Sequence, residues 1–249
     1  NEAAEAPALT KVYTPESKRH WHSVIERRPV QMLVLSLIVV AIGGILELIP
    51  TFLVKSNIPT IASVKPYTPL ELQGRDIYIR EGCYTCHSQL VRPFRDEVAR
   101  YGEYSKAGEF VYDHPFQWGS KRTGPDLARE GTSKNFRPNS WHYNHMDDPR
   151  LMSPGSIMPR YSFLLDKDLD TSTTAAKIRA MQTLGVPYEK GYDQMANEDL
   201  VKQEKEIAES MKKDKIFTKP NKEIIAVIAY LQRLGKDISG NQKTNVVIK

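Results

Sequence analysis

From Val30 to Ile49 the chain is apolar on every helical face, with Glu47 the single charge. As a helix, twenty residues reach about 30 Å, the thickness of a bilayer's hydrocarbon. The run extends through Pro50 and Phe52 to Val54, and Pro29 opens it. Few core helices stay apolar all round for so long. A secretory signal peptide has a shorter apolar stretch, with a small-residue cleavage site close behind. The pattern therefore predicts an uncleaved membrane helix over residues 29–54. Residues 1–28 before it are polar and carry no apolar period. Residues 55–67 after it, with Pro59 and Pro66, read as a tether.

The next patterned stretch opens at Thr68-Pro69-Leu70-Glu71, a capping box with proline at the first helical position. The spacing predicts a helix from Pro69 to about Glu81, with Leu70, Ile77 and Tyr78 on its apolar side. Gly74 inside it costs ~1 kcal/mol against alanine, which points to close backbone contact with another helix. A second amphipathic helix is predicted from Asn221 to Leu234. Ile224, Val227, Ile228, Leu231 and Leu234 share a face, and Gly235 is a C′ residue. Tyr230 can meet Gly74 where the two cross. Residues 189–219 are rich in charge. Asn197 is expected to cap a solvated helix there, with Glu198 and Asp199 in its first turn and Lys212 and Lys213 near its end.

Charge adds direction. Lys11, Lys18, Arg19, Arg27 and Arg28 precede the apolar run, while Lys55 and Lys65 follow it. The positive-inside rule puts the N-terminus in the cytoplasm and everything after Val54 outside. Gly43 and Gly44, with Ser36 on the same face, would let another helix approach. Glu47 either reaches the interface or faces a partner subunit. Over 249 residues the net charge is +5, and no basic stripe with interleaved aromatics appears, so nucleic acid is not expected as a partner.

The chain holds two cysteines, and both fall in Cys83-Tyr84-Thr85-Cys86-His87. C-x-x-C-H is the attachment signature of a c-type haem. Two thiols three residues apart can each form a thioether, and the adjacent imidazole can bind the iron from beneath. Zinc would want two further ligands with matching spacing, and His142 and His145 are only three apart. A redox dithiol would lie in a βαβ pattern, and none surrounds this one. The motif resembles that of c-type cytochromes, and that resemblance implies a compartment outside the cytoplasm, in agreement with the charge asymmetry.

The glycine-bearing helix before the motif and the terminal Ala229-Tyr230-Leu231-Gln232-Arg233-Leu234-Gly235 resemble a class I cytochrome c. The resemblance implies a mainly α fold: one N-terminal transmembrane helix, then a haem domain over 68–249 with long loop insertions. It also implies a distal methionine. Of Met146, Met152, Met158, Met181, Met195 and Met211, it selects Met158, which Pro159 holds out of the helical region. Met152 comes next, and a bis-histidine site through His142 or His145 is a further alternative. Those two histidines are expected on a surface loop, and Met181, Met195 and Met211 are expected in packing. Gly124-Pro125-Asp126-Leu127 resembles the element whose proline carbonyl accepts the proximal imidazole N–H, a role carried to Pro125. Arg122 is carried over as a partner for a haem propionate.

Longer stretches narrow the family. Arg80 to Arg95, Arg100 to Ser105, Tyr112 to Arg129 and Leu184 to Tyr188 together resemble the monohaem cytochrome subunit of a cbb-type haem–copper cytochrome c oxidase. The resemblance covers roughly residues 30–237. It implies one haem c and no bond chemistry in this chain itself. Electrons would come from a dihaem cytochrome subunit or a soluble cytochrome c and pass to the haem–copper catalytic subunit that reduces oxygen. It implies a bacterial inner membrane with the haem domain in the periplasm. Ser120 matches a position near calcium at the subunit interface, and the loop from Arg92 to Trp118 is expected to form much of that contact. A free-standing membrane-anchored electron shuttle and a haem-based sensor are the alternatives.

Overall fold

The computed structural model describes residues 21–54, 59–119, 121–238 and 246–247. The chain divides into two compact units, Asn1–Asn57 and Ile58–Lys249. The first holds α1 (Trp21–Glu26) and α2 (Pro29–Leu53). The short α1 falls in what the sequence presented as an unpatterned arm. Pro29 sits at the start of α2, where its missing N–H has no intrahelical acceptor to lose. Pro50 lies inside its last turn, and Thr51 Oγ1 donates to the Glu47 carbonyl at 3.0 Å. From Pro29 to Thr51 this helix is long and apolar enough to cross a membrane. Its large apolar side chains are exposed all round, as an apolar solvent requires.

In the second unit, α3 (Pro69–Arg80) and α10 (Glu223–Arg233) form the centre. Both halves of the predicted capping box are made. Thr68 N–H donates to Glu71 Oε2 at 2.8 Å, and Glu71 N–H donates to Thr68 Oγ1 at 3.3 Å. Every residue of α10 from Glu223 to Leu231 is buried, so the helix is enclosed beyond its predicted apolar face. The crossing is at Gly74. A methyl group there would lie 1.9 Å from the Ala226 carbonyl oxygen and 2.9 Å from Tyr230 Cβ. Tyr230 stands edge-on to Tyr78 at 5.4 Å between ring centroids and donates its hydroxyl to Gln89 Oε1 at 3.1 Å. That bond ties the terminal helix to the segment just after His87. Arg80 pairs with Glu223 at the end of α3.

Around this pair lie α4 (Arg95–Tyr101), α5 (Asn139–Asp147), α6 (Pro149–Met152), α7 (Phe163–Asp166), α8 (Thr174–Thr183) and α9 (Tyr192–Lys212). The charge-rich segment departs from expectation twice. Its helix, α9, begins at Tyr192 after Gly191, so Asn197 lies inside it and caps nothing. It is also not a solvated helix: Ala196, Leu200, Glu204, Ala208 and Met211 form a buried stripe. Ala196 joins Leu72, Ile178, Met181 and Val186 in a small core shared with α3 and α8. Gln203 accepts the Thr68 hydroxyl hydrogen at 2.7 Å, so α9 also braces the start of α3. Met195, expected in packing, is 60% exposed.

A two-residue strand, β1 (Thr60–Ile61), pairs antiparallel with β2 (Val246–Val247). Part of the expected tether therefore belongs to the folded unit. The long loop after the cysteine motif is held by buried ion pairs, Arg75 to Asp113 at 2.8 Å and Arg129 to Glu109 at 2.7 Å.

Candidate haem site

α3 stops at Arg80, and Gly82, at φ 70°, turns the chain into a single tight turn at Cys83–Thr85. Cys86 and His87 both donate backbone N–H to the Cys83 carbonyl, at 3.2 and 2.9 Å. The turn fixes the spacing of the two sulfurs. Neither is in a disulfide: Cys83 is half-buried and Cys86 exposed. Burial pushes the Cys83 thiol up to about 12, with Glu81 adding to the effect. A nucleophilic redox cysteine needs the opposite shift.

His87 Nδ1 lies 2.8 Å from the Pro125 carbonyl oxygen. A carbonyl only accepts, so Nδ1 carries the hydrogen and Nε2 keeps a free lone pair. Burial lowers the pKa of His87, which favours the neutral, ligating ring. Gly124 closes the ring in from the side. A Cβ at that position would stand 2.3 Å from His87 Cε1 and 2.7 Å from Nδ1. Gly124→Ala is expected to turn the imidazole and break its bond to Pro125, at a cost of ~1–3 kcal/mol. A lowered denaturation midpoint together with a shifted haem absorption band would show it.

The Gly124–Leu127 segment is stitched to the motif by backbone bonds, Gly124 N–H to Cys86 O at 3.0 Å and Leu127 N–H to Ser88 O at 2.8 Å. Arg122 reinforces it. Its guanidinium donates to Ser88 Oγ at 2.6 Å, to the Leu90 carbonyl at 2.8 Å and to Glu97 at 2.8 Å, and meets Asp126 at 3.2 Å. Each nitrogen has a protein partner, so a structural clamp, and not a propionate contact, is what the geometry supports for Arg122. Hydrogen bonds from Arg122, then from Arg92, hold the Glu97 carboxyl at about 2 instead of 4.5. A carboxyl depressed in the folded state stabilises fully above its unfolded value and loses that contribution as pH falls through the folded one. Glu97→Gln should therefore flatten the stability profile between about pH 4.5 and 2, read as the denaturant midpoint across that window.

On the other side, α5 carries His142, His145 and Met146. The sequence placed both histidines on a surface loop; they are helical, and His142 is buried. Burial lowers His142 to about 3 and His145 to about 4, so both rings are neutral. For His145 the charge of nearby His87 is the next cause. Met146 is a core residue. Its carbonyl accepts from Tyr161 N–H at 2.8 Å, which pins the irregular segment holding Met158. Met158 is half-buried and packs, with Cys83, Leu127, Tyr143 and Tyr161, against the main core. Leu151, Ile157 and Phe163 in the flanking segments are exposed. Met152 is half-exposed on α6, and Met181 and Met211 are buried in helix packing.

These residues fit a haem. Two unpaired sulfurs stand in a turn of the right spacing. An imidazole presents Nε2, and partly covered apolar side chains run from Cys83 to Met158. The family model for cytochrome c oxidase, mono-haem subunit/FixO, matches residues 22–238. The chain belongs to that family. It is a mono-haem cytochrome subunit of a cbb-type cytochrome c oxidase, an electron-transport protein carrying haem c. A search of curated proteins found no match. The family match spans α1 to the turn at Lys236–Ile238 and so includes the whole site and α9. Ser120, matched to calcium by resemblance, lies outside the described residues. Sequence reasoning missed Gly124 as a wall beside His87, Glu97 as the partner of Arg122, and the burial of His142. The first was legible in the Gly-Pro step; the other two rest on contacts between distant residues.

Proposed function

We propose that this subunit binds its haem through Cys83 and Cys86, with His87 and Met158 as axial ligands, and relays single electrons to the haem–copper catalytic subunit. The bond from His87 Nδ1 to the Pro125 carbonyl carries the reading. It fixes the tautomer, leaves Nε2 with its lone pair, and makes the imidazole a stronger ligand. The bound haem supplies a one-electron couple. The chain's own part is to hold the ligands in place through the Arg122 clamp and the α5–Tyr161 link. The donor is a dihaem cytochrome subunit or a soluble cytochrome c. With five basic residues ahead of α2, the N-terminus is cytoplasmic, and the haem unit faces the periplasm of a bacterial inner membrane. Calcium at Ser120 stays a proposal by resemblance, and a single matched residue supports it.

Detergent extraction tests the whole reading. The chain should stain for haem after denaturation and should travel with a large haem b and copper protein. Isolation of a coloured chain without such a protein would favour a free-standing shuttle. Met158→Ala should change the visible spectrum and lower the potential by about 0.1 V or more, because methionine ligation raises it. An unchanged spectrum and potential would remove Met158 from the iron.

A further inference from the structure

α1 and α2 meet at an elbow. Arg28 N–H donates to the Ile25 carbonyl at 2.9 Å, and Met32 N–H donates to the Arg28 carbonyl at 2.9 Å, so the chain turns between the helices at Arg27 and Arg28. An open groove of about 620 Å³ runs from this elbow along the start of α2. Arg27 and Arg28 line its head, with Gln31 beside them, and Val30, Val34 and Leu35 form an apolar wall. From Arg28 to Leu35 the wall reaches about 10 Å along the helix.

The charge at the head is not neutralised. Arg28 Nη1 donates a long bond to Gln31 Oε1 at 3.4 Å, and among the described residues neither arginine is in an ion pair. Glu26, the acid nearest in the chain, is exposed. Two exposed cations over an apolar wall form an amphiphilic site. Its complement carries an anionic head and a hydrocarbon tail. A neighbouring protein helix suits it less well. Gly43 and Gly44, the positions fitted for close helix approach, lie about 20 Å further along α2. α1 points the same way: none of its six residues is buried, and Trp21 and Val24 are exposed. Tryptophan beside a membrane helix sits at headgroup level, where a lipid phosphate also lies.

We infer that this groove holds an acidic phospholipid, its phosphate between Arg27 and Arg28 and one acyl chain along Val30, Val34 and Leu35. Guanidinium groups grip phosphate oxygens through paired hydrogen bonds, and the tail gains dispersion contact with the wall. The inference rests on the membrane placement proposed above. The anionic surface of the cytoplasmic leaflet supplies such lipids to that end of α2. A lipid held there sets the depth of α2 and the tilt of α1 in the interface.

The test uses the full chain, extracted with the proteins that travel with it and placed in phosphatidylcholine discs. Phosphatidylglycerol with a photoreactive acyl chain is titrated in, and the label at residues 30–35 is mapped. The wild type should be labelled there. Each basic residue near an anionic surface contributes about fivefold, so Arg27→Gln with Arg28→Gln should need about thirtyfold more probe. Lys11, Lys18 and Arg19 keep the charge bias ahead of α2 in that variant. Lys18→Gln with Arg19→Gln removes the same charge nine residues earlier and should shift the titration far less. An equal shift would overturn the site in favour of diffuse attraction to the surface. Val34→Trp fills the groove, keeps both charges and should lose the label; full labelling would overturn the groove. A phosphatidylcholine probe that labels equally well would overturn the role of the arginines. Displacement by inorganic phosphate would overturn the part of the acyl chain. A wild-type assembly left unlabelled at 30–35 would overturn the site and make the groove a subunit contact. A wild-type chain that alkaline carbonate washes off membranes would instead sink the membrane placement.

Discussion

Gly74→Val is expected to unfold the haem unit or to lower its stability by ~3 kcal/mol or more. Two effects oppose each other. Any side chain in place of glycine steadies a helix interior, by at most ~1 kcal/mol. Against this, the first added carbon alone would sit 1.9 Å from the Ala226 carbonyl oxygen and 2.5 Å from its carbonyl carbon. Those are backbone atoms of a helix buried on every side, and no rotamer change relieves the overlap. α3 and α10 would have to separate, opening the Tyr78–Tyr230 contact and the Tyr230–Gln89 bond. Overpacking of this kind ordinarily costs ~1–3 kcal/mol when side chains can yield, and more when they cannot. Denaturant unfolding of the extracted chain measures it. A midpoint within ~0.5 kcal/mol of wild type would show that the helices do not meet at Gly74.

Replacing Cys83 and Cys86 together by alanine should abolish haem staining of the denatured chain completely. On the proposed ligation the thioethers are the one link that would survive denaturation, since His87 and Met158 would hold iron only in the folded state. Burial holds the Cys83 thiol in its protonated form, which leaves a thioether as its best-supported role and disfavours dithiol exchange. Persistent colour after denaturation would show attachment elsewhere.

What the sequence made legible was local. Thr68 and Glu71 announced the start of α3 because a capping box spans only four residues. Gly74 announced a close crossing because glycine in a helix interior needs a compensating contact. Cys83, Cys86 and His87 stood out by their spacing alone, and the Pro125 carbonyl found beside His87 Nδ1 was expected by resemblance. The errors came where a distant contact outweighed a local preference. Asn197 has the side chain of a cap, yet α9 begins at Tyr192, because Ala196 and Leu200 gain more from burial than a cap contributes. The polar run around His142 looked like a loop, but His142 and Met146 face the core from a helix. Arg122 looked available for a propionate because its partner Glu97 lies 25 residues back, with no pattern linking them.

The bond between Gln89 and Tyr230 joins residues 141 apart in the chain. Synthesis runs from the N-terminus, so the cysteine-bearing segment emerges long before the helix that encloses it exists. During that interval α3 has no partner at Gly74 and the two thiols lie on an open strand. Contacts of such long range form late. If the haem is attached as proposed, the order of emergence would leave the sulfurs accessible for attachment until arrival of the last helix encloses them.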